Sequence, residues 1–168
     1  LRVLPPKLLS LLVSAFQSYL FNCALSSRID AGIPLFEPEV GDRLLFHGGR
    51  EDIVTARNRQ TALVHIRRGR CGIAIFIPGA EPVAPGGRMD EIMQELMQNH
   101  GIDAKDFARA SRFVETAFAG VARPIALSAG VEADVMDASV RLRFTLPPGH
   151  YATTVCREYM KADPYAMI

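Results

Sequence analysis

Residues 140–158 constrain the fold of this chain more than any other segment. Their first part alternates apolar residues with Arg141, Arg143 and Thr145, a pattern typical of a strand with one buried face. A Pro-Pro-Gly sequence at 147–149 must end that strand, because proline cannot donate to a β-ladder and glycine permits a sharp reversal. Apolar residues then recur at helical spacing. The segment therefore predicts a strand, a tight turn and a helix.

The predicted junction places several polar side chains at the start of that helix. Tyr151, Thr153 and Thr154 fall in its first turn, and Arg157 and Glu158 follow one turn later. Free N–H groups at a helix start can bind an anion or a nucleotide. A strand-turn-helix without any ligand is the alternative interpretation of the same pattern.

The N-terminal segment, 7–29, is apolar on nearly all sides. A basic start followed by an apolar run also fits a signal peptide or a membrane span. Gln17, Ser18 and Asn22 interrupt the run, so it lacks the roughly 18 consecutive apolar residues that a span requires. We therefore expect a helix buried in a larger protein, and no membrane. Gln17 and Asn22 then need buried partners: either active-site neighbours that they orient, or backbone groups that they cap.

The middle of the chain contains both short strands and helices, and we expect an α+β protein. Gly48 and Gly49 stand between two short apolar segments and indicate a hairpin. We expect Asp90 to cap a helix, and the acidic segment 132–137 to form a polar loop. The predicted strands are 43–46, 53–55, 71–77 and 123–127, and the predicted helices are 58–68, 90–98 and 104–113.

A cluster of arginines is the main electrostatic feature. Arginine suits bidentate contact with phosphate, so the cluster is a candidate RNA-binding surface. A solvated helix face would explain the same run without a ligand. The net charge of +1 adds no general argument for nucleic acid. The cluster consists of five arginines within fourteen residues: Arg57, Arg59, Arg67, Arg68 and Arg70.

The sequence favours neither a metal site nor a cofactor. Three scattered cysteines contain no C-x-x-C pair, which predicts reduced thiols in the cytoplasm without a disulfide framework or a zinc site. The chain has no G-x-S-x-G, P-loop or G-x-G-x-x-G motif. No two of its histidines have metal-ligand spacing; they are His47, His65, His100 and His150.

Two blocks of sequence resemble a known family. One reads Phe-Thr-Leu-Pro-Pro-Gly-His-Tyr-Ala-Thr at 144–153 and is followed by Arg157-Glu158; the other reads Leu-Val-Ser-Ala-Phe-Gln-Ser-Tyr-Leu-Phe-Asn at 12–22. Both resemble blocks of the TruD family of tRNA pseudouridine synthases and occur in the family's order. Arg123-Pro124 resembles the pair that precedes re-entry into the family's catalytic domain. The resemblance covers nearly the whole chain.

This resemblance implies a division of the chain into three segments. Residues 1–38 would supply a helix of the catalytic domain, 39–125 an inserted α+β TRUD domain, and 126–168 the C-terminal strand and helix of the catalytic domain. The fold implied is part of a pseudouridine-synthase catalytic domain, a mixed antiparallel sheet with helices, interrupted by that insertion.

The resemblance also implies an activity: isomerisation of uridine to pseudouridine in tRNA, at uridine-13 in the family's usual substrate, without cofactor or metal. The family's catalytic aspartate lies in a glycine-x-lysine-aspartate motif. Here the one lysine-aspartate pair, Lys105-Asp106, follows Ala104 in a predicted helix and does not fit that motif. We therefore expect the catalytic aspartate to precede Leu1, and no activity from this chain alone.

The family's C-terminal signature implies further roles. Phe144 and Tyr151 would stack on or wall the pocket of the extruded base. Arg157 would hold a phosphate or the neighbourhood of the catalytic aspartate, oriented by Glu158; a structural Arg–Glu pair is the alternative. His150 stands where the family usually has a small residue, so a hydroxyl contact is not expected there.

The partners implied are tRNA and the N-terminal half of the same enzyme, with a monomer expected for the full-length protein. A non-catalytic RNA-binding module is the alternative function. In that case the inserted domain alone would grip structured RNA through its arginines.

Overall fold

The computed structural model describes residues 4–82, 86–114, 117–127, 129–146 and 150–161. It divides into two compact units, Leu1–Ala126 and Leu127–Ile168. In chain order the elements are helix α1 (Pro6–Asp30), strands β1 (Arg43–Phe46) and β2 (Glu51–Ile53), helix α2 (Arg59–Arg67), strand β3 (Cys71–Ile77), helices α3 (Arg88–Asn99) and α4 (Ala104–Val114), strands β4 (Val121–Pro124), β5 (Val131–Met136) and β6 (Ser139–Phe144), and helix α5 (Ala152–Met160).

The predicted α+β class is confirmed, and so are most of its elements. The predicted strand 71–77 coincides with β3, and α1, α2, α3 and α4 end within two residues of their predicted limits. The strand expected at 123–127 lies earlier, as β4. The turn predicted at 147–149 falls outside the described residues. Apolar periodicity bounded by glycine and proline was thus a sufficient signal for the first unit.

The first unit contains a four-stranded sheet in the order β2-β1-β3-β4, with every neighbouring pair antiparallel. Gly48 and Gly49 have φ values of 96° and 88°, a backbone region that favours glycine, and they close the predicted hairpin. Its second strand begins at Glu51 and not at 53, because Leu45 pairs directly with Glu51 across this short turn.

Strand β3 is the centre of the core. Its odd-numbered residues share one face. Cys71 and Ile73 pack with Ala62 of α2, whereas Ile75 and Ile77 pack with helices α1, α3 and α4. Each large apolar side chain fully buried in this way contributes roughly 1.5–3 kcal/mol. The larger cluster comprises Leu20, Phe21, Ala24, Ile75, Ile77, Met89, Ile92, Met93, Phe107, Val114 and Phe118.

Helix α1 is long and apolar enough, by length and composition alone, to cross a membrane. The same properties occur in core helices of soluble proteins. Leu20 and Ala24 are fully buried in the core of the first unit, as expected for a core helix. The outer side of α1 differs, because Leu11 and Leu12 are 63% and 53% exposed. The helix is therefore a core element on one side only.

Two buried or half-buried ion pairs tie the helices of the first unit to its sheet. Arg28 and Asp42 form a bidentate pair, with Nη1–Oδ1 and Nη2–Oδ2 distances of 2.7 and 2.9 Å, and their side chains are 0% and 5% exposed. The Arg28 guanidinium also donates to the carbonyl oxygen of Pro34. Asp42 accepts a further bond from the backbone N–H of Glu39. Both the guanidinium of Arg28 and the carboxylate of Asp42 thus make further hydrogen bonds besides the ion pair, as buried charges require.

The second pair shows that Asp90 was predicted wrongly as a helix cap. Helix α3 begins at Arg88 after Gly87, and its N-cap makes no side-chain hydrogen bond. Asp90 lies inside the helix, and its Oδ2 is 3.0 Å from Nη2 of Arg43 on β1. Its carboxylate therefore balances a half-buried arginine that is distant in sequence and does not cap the local backbone.

The second unit is a β5–β6 hairpin with helix α5. The polar loop predicted over 132–137 is wrong, because β5 covers residues 132–136 and pairs with β6 in a register that leaves a two-residue turn at 137–138. Glu132 and Asp134 lie on the exposed side of the strand, where Arg143 contacts their carboxylates at 3.4 and 3.1 Å. Cross-strand pairing thus offsets the low strand propensity of acidic residues.

Candidate nucleic-acid interface

The five predicted arginines are exposed on helix α2 and its flanks, but they do not share one environment. Nε of Arg59 donates to the carbonyl oxygen of Pro38 at 2.8 Å, which commits this residue to structure. Arg67 lies 3.9 Å from a carboxylate oxygen of Glu37, a weak surface pair. Within the described ranges, three guanidinium groups make neither an ion pair nor a hydrogen bond: Arg57, Arg68 and Arg70.

The tip of the β1–β2 hairpin adds a cation that sequence reasoning missed. The guanidinium carbon of Arg50 lies 4.1 Å from the ring centroid of Phe46. The Phe46 ring meets His65 of α2 edge-on, with centroids 5.7 Å apart. His47 continues this link, because its Nε2 hydrogen-bonds with the carbonyl oxygen of Gly69. These contacts hold the hairpin tip against the C-terminal end of α2.

We call four exposed arginines at the hairpin tip and on the two flanks of α2 the arginine surface: Arg50, Arg57, Arg68 and Arg70. Guanidinium groups without protein acceptors can engage phosphate oxygens without first breaking an ion pair. Glu51 and Asp52 on β2 limit the positive potential on one side. The geometry thus favours a local phosphate contact over a broad electrostatic field.

Gln17 caps backbone, the second of the two roles considered for it. Its Nε2 donates to the carbonyl oxygen of Pro78 at the end of β3, at 2.8 Å in a buried setting. Asn22 is exposed, and its side chain has no hydrogen-bond partner in the described part of the chain. The two residues are five positions apart on a helix and so point in different directions. The structure does not bring them together at one site.

Replacing Gln17 by leucine is expected to lower the free energy of unfolding by about 1–3 kcal/mol, because the buried Pro78 carbonyl would lose its donor. Urea unfolding followed by circular dichroism measures this loss. Asn22→Leu on the same helix is the matched control, with an expected change within about 0.5 kcal/mol. Equal losses in both variants would contradict the capping role.

The Arg123-Pro124 pair lies beside the sequence block at 12–22. The guanidinium carbon of Arg123 is 5.2 Å from the ring centroid of Phe21, and its Nη1 donates to Oγ of Ser18 at 3.4 Å. Residues 105 positions apart are therefore in contact. Two features that carry the family resemblance thus form a single arrangement on the surface of the first unit.

The signature residues of the second unit are placed more openly than expected. Phe144 lines an apolar cavity of about 880 Å³ between the hairpin and α5, together with Cys156, Tyr159 and Met160. Tyr151 precedes α5 and is 74% exposed. Within this unit the two predicted wall residues therefore occupy different settings: Phe144 lines the cavity and Tyr151 faces solvent.

Arg157 and Glu158 do not form the Arg–Glu pair considered from the sequence. Consecutive residues on a helix do not face each other, whereas residues three apart do. Accordingly, Glu158 accepts a 2.7 Å hydrogen bond from Nζ of Lys161. That contact lowers the pKa of the Glu158 carboxyl, with a smaller effect from Arg157. Among the described residues, no ion pair holds the guanidinium of Arg157.

The lysine-aspartate pair lies at the start of α4, where Asp106 has a structural role. Its Oδ2 accepts the backbone N–H of Asp103 at 3.0 Å, and its Oδ1 lies 3.3 Å from Arg109. Asp103 in turn accepts the backbone N–H of Lys105. This reciprocal arrangement caps the helix. Over the described ranges, no group of three His, Cys, Asp or Glu side chains could hold a metal ion.

The family model for tRNA pseudouridine synthase D (TruD) matches residues 1–159. The chain is 34% identical to a probable tRNA pseudouridine synthase D of Natronomonas pharaonis, over 92% of this chain and 36% of that protein. It is 31% identical to the protein of the same name from Methanosarcina mazei, over 99% of this chain and 41% of that relative.

A solved structure shows the same fold. The crystal structure from Methanosarcina mazei that bears the name tRNA pseudouridine synthase D (TruD) superposes with a TM-score of 0.79 at 31% sequence identity. The superposition covers 98% of this chain and 40% of that one. This chain thus spans 36–41% of the length of these relatives. The sequence resemblance is confirmed, and the chain belongs to the TruD family of tRNA pseudouridine synthases.

Proposed function

We propose that this chain acts as part of a tRNA pseudouridine synthase that isomerises uridine to pseudouridine, at uridine-13 of tRNA. The observation that carries the proposal is the family match over residues 1–159 together with the shared fold. The reaction would need neither cofactor nor metal. The enzyme would be a cytoplasmic monomer, in keeping with the free cysteines of this chain.

The chain would contribute RNA binding and pocket walls, and the N-terminal half of the enzyme would contribute the catalytic aspartate. Engagement of Asp106 in a helix cap supports this division, because its carboxylate is already committed. Exposed Leu11 and Leu12 on α1 offer an apolar face that the N-terminal half would cover. The chain alone would then be inactive.

Binding of the target uridine requires the base to leave its stack, at a cost of a few kcal/mol. Contacts to the RNA backbone offset such a cost. The arginine surface would supply phosphate contacts, and Phe144 and Tyr151 would wall the extruded base. Arg157 would hold a phosphate near the end of α5.

A non-catalytic RNA-binding module is the second candidate. The observation that favours it is that three exposed arginines around α2, Arg57, Arg68 and Arg70, make no ion pair or hydrogen bond within the described ranges, since phosphate binding needs no catalytic carboxylate. Both functions require RNA binding, and they differ in whether pseudouridine forms when the chain is part of a longer polypeptide.

The test is a titration of the 168-residue chain with unmodified tRNA at two salt concentrations. Arg68→Ala/Arg70→Ala should weaken binding about tenfold or more, and should reduce the slope of log K against log salt by roughly 1.5–2. The matched control is Arg88→Ala/Arg109→Ala, which removes the same charge from exposed arginines that already pair with acids. Equal weakening in both variants would contradict a specific role for the arginine surface.

Pseudouridine content separates the two candidates. A tRNA lacking the modification is incubated with the chain alone and with the chain fused to the N-terminal half of a relative. Pseudouridine in the second reaction alone supports the synthase and its division of labour. Pseudouridine from the chain alone would overturn that division, and binding without product in either reaction would favour the RNA-binding module.

A further inference from the structure

A cavity of about 480 Å³ lies in the first unit, between the residues after β3, helix α3 and the start of α4. Its volume falls within the range of roughly 300–1,000 Å³ that is usual for small-molecule sites, and it exceeds that of a single nucleobase. Most of its wall is apolar. The apolar lining residues are Ala80, Pro82, Met97, Ile102, Ala104 and Ala108.

Two carboxamides line this cavity from one helix. Gln94 and Gln98 are four residues apart on α3 and therefore lie on the same face. Gln94 is half-buried, and in the described part of the chain neither carboxamide has a hydrogen-bond partner. Each amide offers both donors and an acceptor. They are uncommitted polar groups on an otherwise apolar wall.

The charges around the cavity do not favour an anion. Glu81 and Asp103 contribute two carboxylates, and Lys105 contributes one ammonium group. The N-terminus of α4 is not available to a phosphate, because Asp103 already accepts the backbone N–H of Lys105 at 2.7 Å. The complementary ligand is therefore an uncharged, flat group that carries its own hydrogen-bond donors and acceptors.

We propose that this cavity binds a single unstacked nucleobase of the RNA, held by Gln94 and Gln98 at its hydrogen-bonding edge and by Met97 at its face. The inference rests on the proposed function, since the base belongs to the bound tRNA. Side-chain amides pair with base edges, and unstacked bases are the usual target of sequence-dependent RNA readout. A methionine sulfur makes favourable contact with an aromatic ring. Glu81 accepts from an exocyclic amine, and the phosphates stay outside.

The experiment observes the methionine methyl groups of the full chain by ¹³C NMR during RNA titration. The titrants are an unmodified tRNA transcript and a blunt RNA duplex without unpaired bases. The Met97 methyl, at the cavity wall, should shift with tRNA and not with the duplex, because a base ring above it changes its magnetic environment. Met93 is fully buried in the core and is the internal reference that should not shift.

Two variants connect the signal to the amides. Gln94→Leu keeps the side-chain size and should weaken tRNA binding about fivefold while abolishing the Met97 shift. Gln98→Leu is an exposed substitution that leaves packing intact, and should also reduce both effects. Asn99→Leu removes an amide from the same helix outside this cavity and is the matched control, expected to change neither readout.

The outcomes are distinct. Binding of tRNA that depends on the arginine surface but leaves Met97 unshifted would overturn the base site and leave the proposed function standing. An equal Met97 shift with the duplex would also overturn it, since a paired base cannot enter the cavity. Failure of both RNAs to bind would contradict RNA binding by this chain and the base site together. A tRNA-specific shift lost in Gln94→Leu and retained in Asn99→Leu supports the proposal.

Discussion

Replacing Asp42 by alanine is expected to lower the free energy of unfolding by about 3–5 kcal/mol, because the completely buried guanidinium of Arg28 would be left without its counter-ion. Loss of the carboxylate would also free the backbone N–H of Glu39. Urea unfolding followed by circular dichroism measures the change. For a domain of this size such a loss is a large part of the total stability.

Glu91→Ala is the control for this variant. It breaks an exposed pair with Arg88 and should cost at most about 1 kcal/mol. The double variant Arg28→Met/Asp42→Leu should recover more than half of the loss, since no unpaired charge remains in the interior. A cost below about 1 kcal/mol for Asp42→Ala would show that Arg28 reaches solvent once its partner is gone.

Replacing Gly79 by alanine is expected to cost about 3 kcal/mol or more. The added Cβ would overlap the backbone nitrogen of Gly120 and the carbonyl oxygen of Phe118. That carbonyl also accepts the backbone N–H of Ala80 at 2.7 Å, so a shift of either segment would break a hydrogen bond. Backbone atoms cannot rotate away as a side chain can, which places this substitution at the upper end of overpacking costs. Thermal unfolding should show the loss as a lowered Tm.

Gly72→Ala is the matched control, in the strand that ends two residues before Gly79. A Cβ at this position would meet no atom within 4 Å, so we expect a change within about 0.5 kcal/mol. Similar destabilisation by both alanines would mean that strand geometry, and not the close approach to residues 118–120, controls the effect.

The fold of the first unit was predictable where local pattern and tertiary environment agree. Strand β3 is a run of apolar residues ended by proline and glycine, and it is buried as such a run should be. Strand β5 was missed because its acidic residues are typical of loops, and its pairing with Arg143 becomes visible only when the hairpin forms. Asp90 was misassigned for the same reason, since Arg43 is 47 positions away.

In the candidate site, too, residues that are close in sequence could be predicted, whereas residues brought together by the tertiary fold could not. The arginines of 57–70 are close in sequence, so their clustering could be predicted. Arg50 could not be assigned to that surface, because its position depends on a chain of contacts from Phe46 to His65. The sequence indicates that Gln17 needs a buried partner, because it is a polar residue in an apolar helix. Only the structure identifies the Pro78 carbonyl as that partner.

The sequence block at 12–22 lies in the same compact unit as residues 39–125, because the first unit extends from Leu1 to Ala126. A boundary near residue 38 therefore does not separate two compact units. The assignment of residues 1–38 to the catalytic domain stays a prediction, because it concerns contacts outside this chain.

The Arg28–Asp42 ion pair connects helix α1 directly to the segment that starts the β1–β2 hairpin. The pair joins the C-terminal end of α1 to Asp42, the residue before β1. The hairpin in turn contacts α2, because the ring of Phe46 packs against His65. These contacts connect the C-terminal end of α1 to the region of the arginine surface. Under the proposed function, a partner bound to the outer side of α1, at Leu11 and Leu12, would therefore be linked through these contacts to the surface proposed to bind RNA.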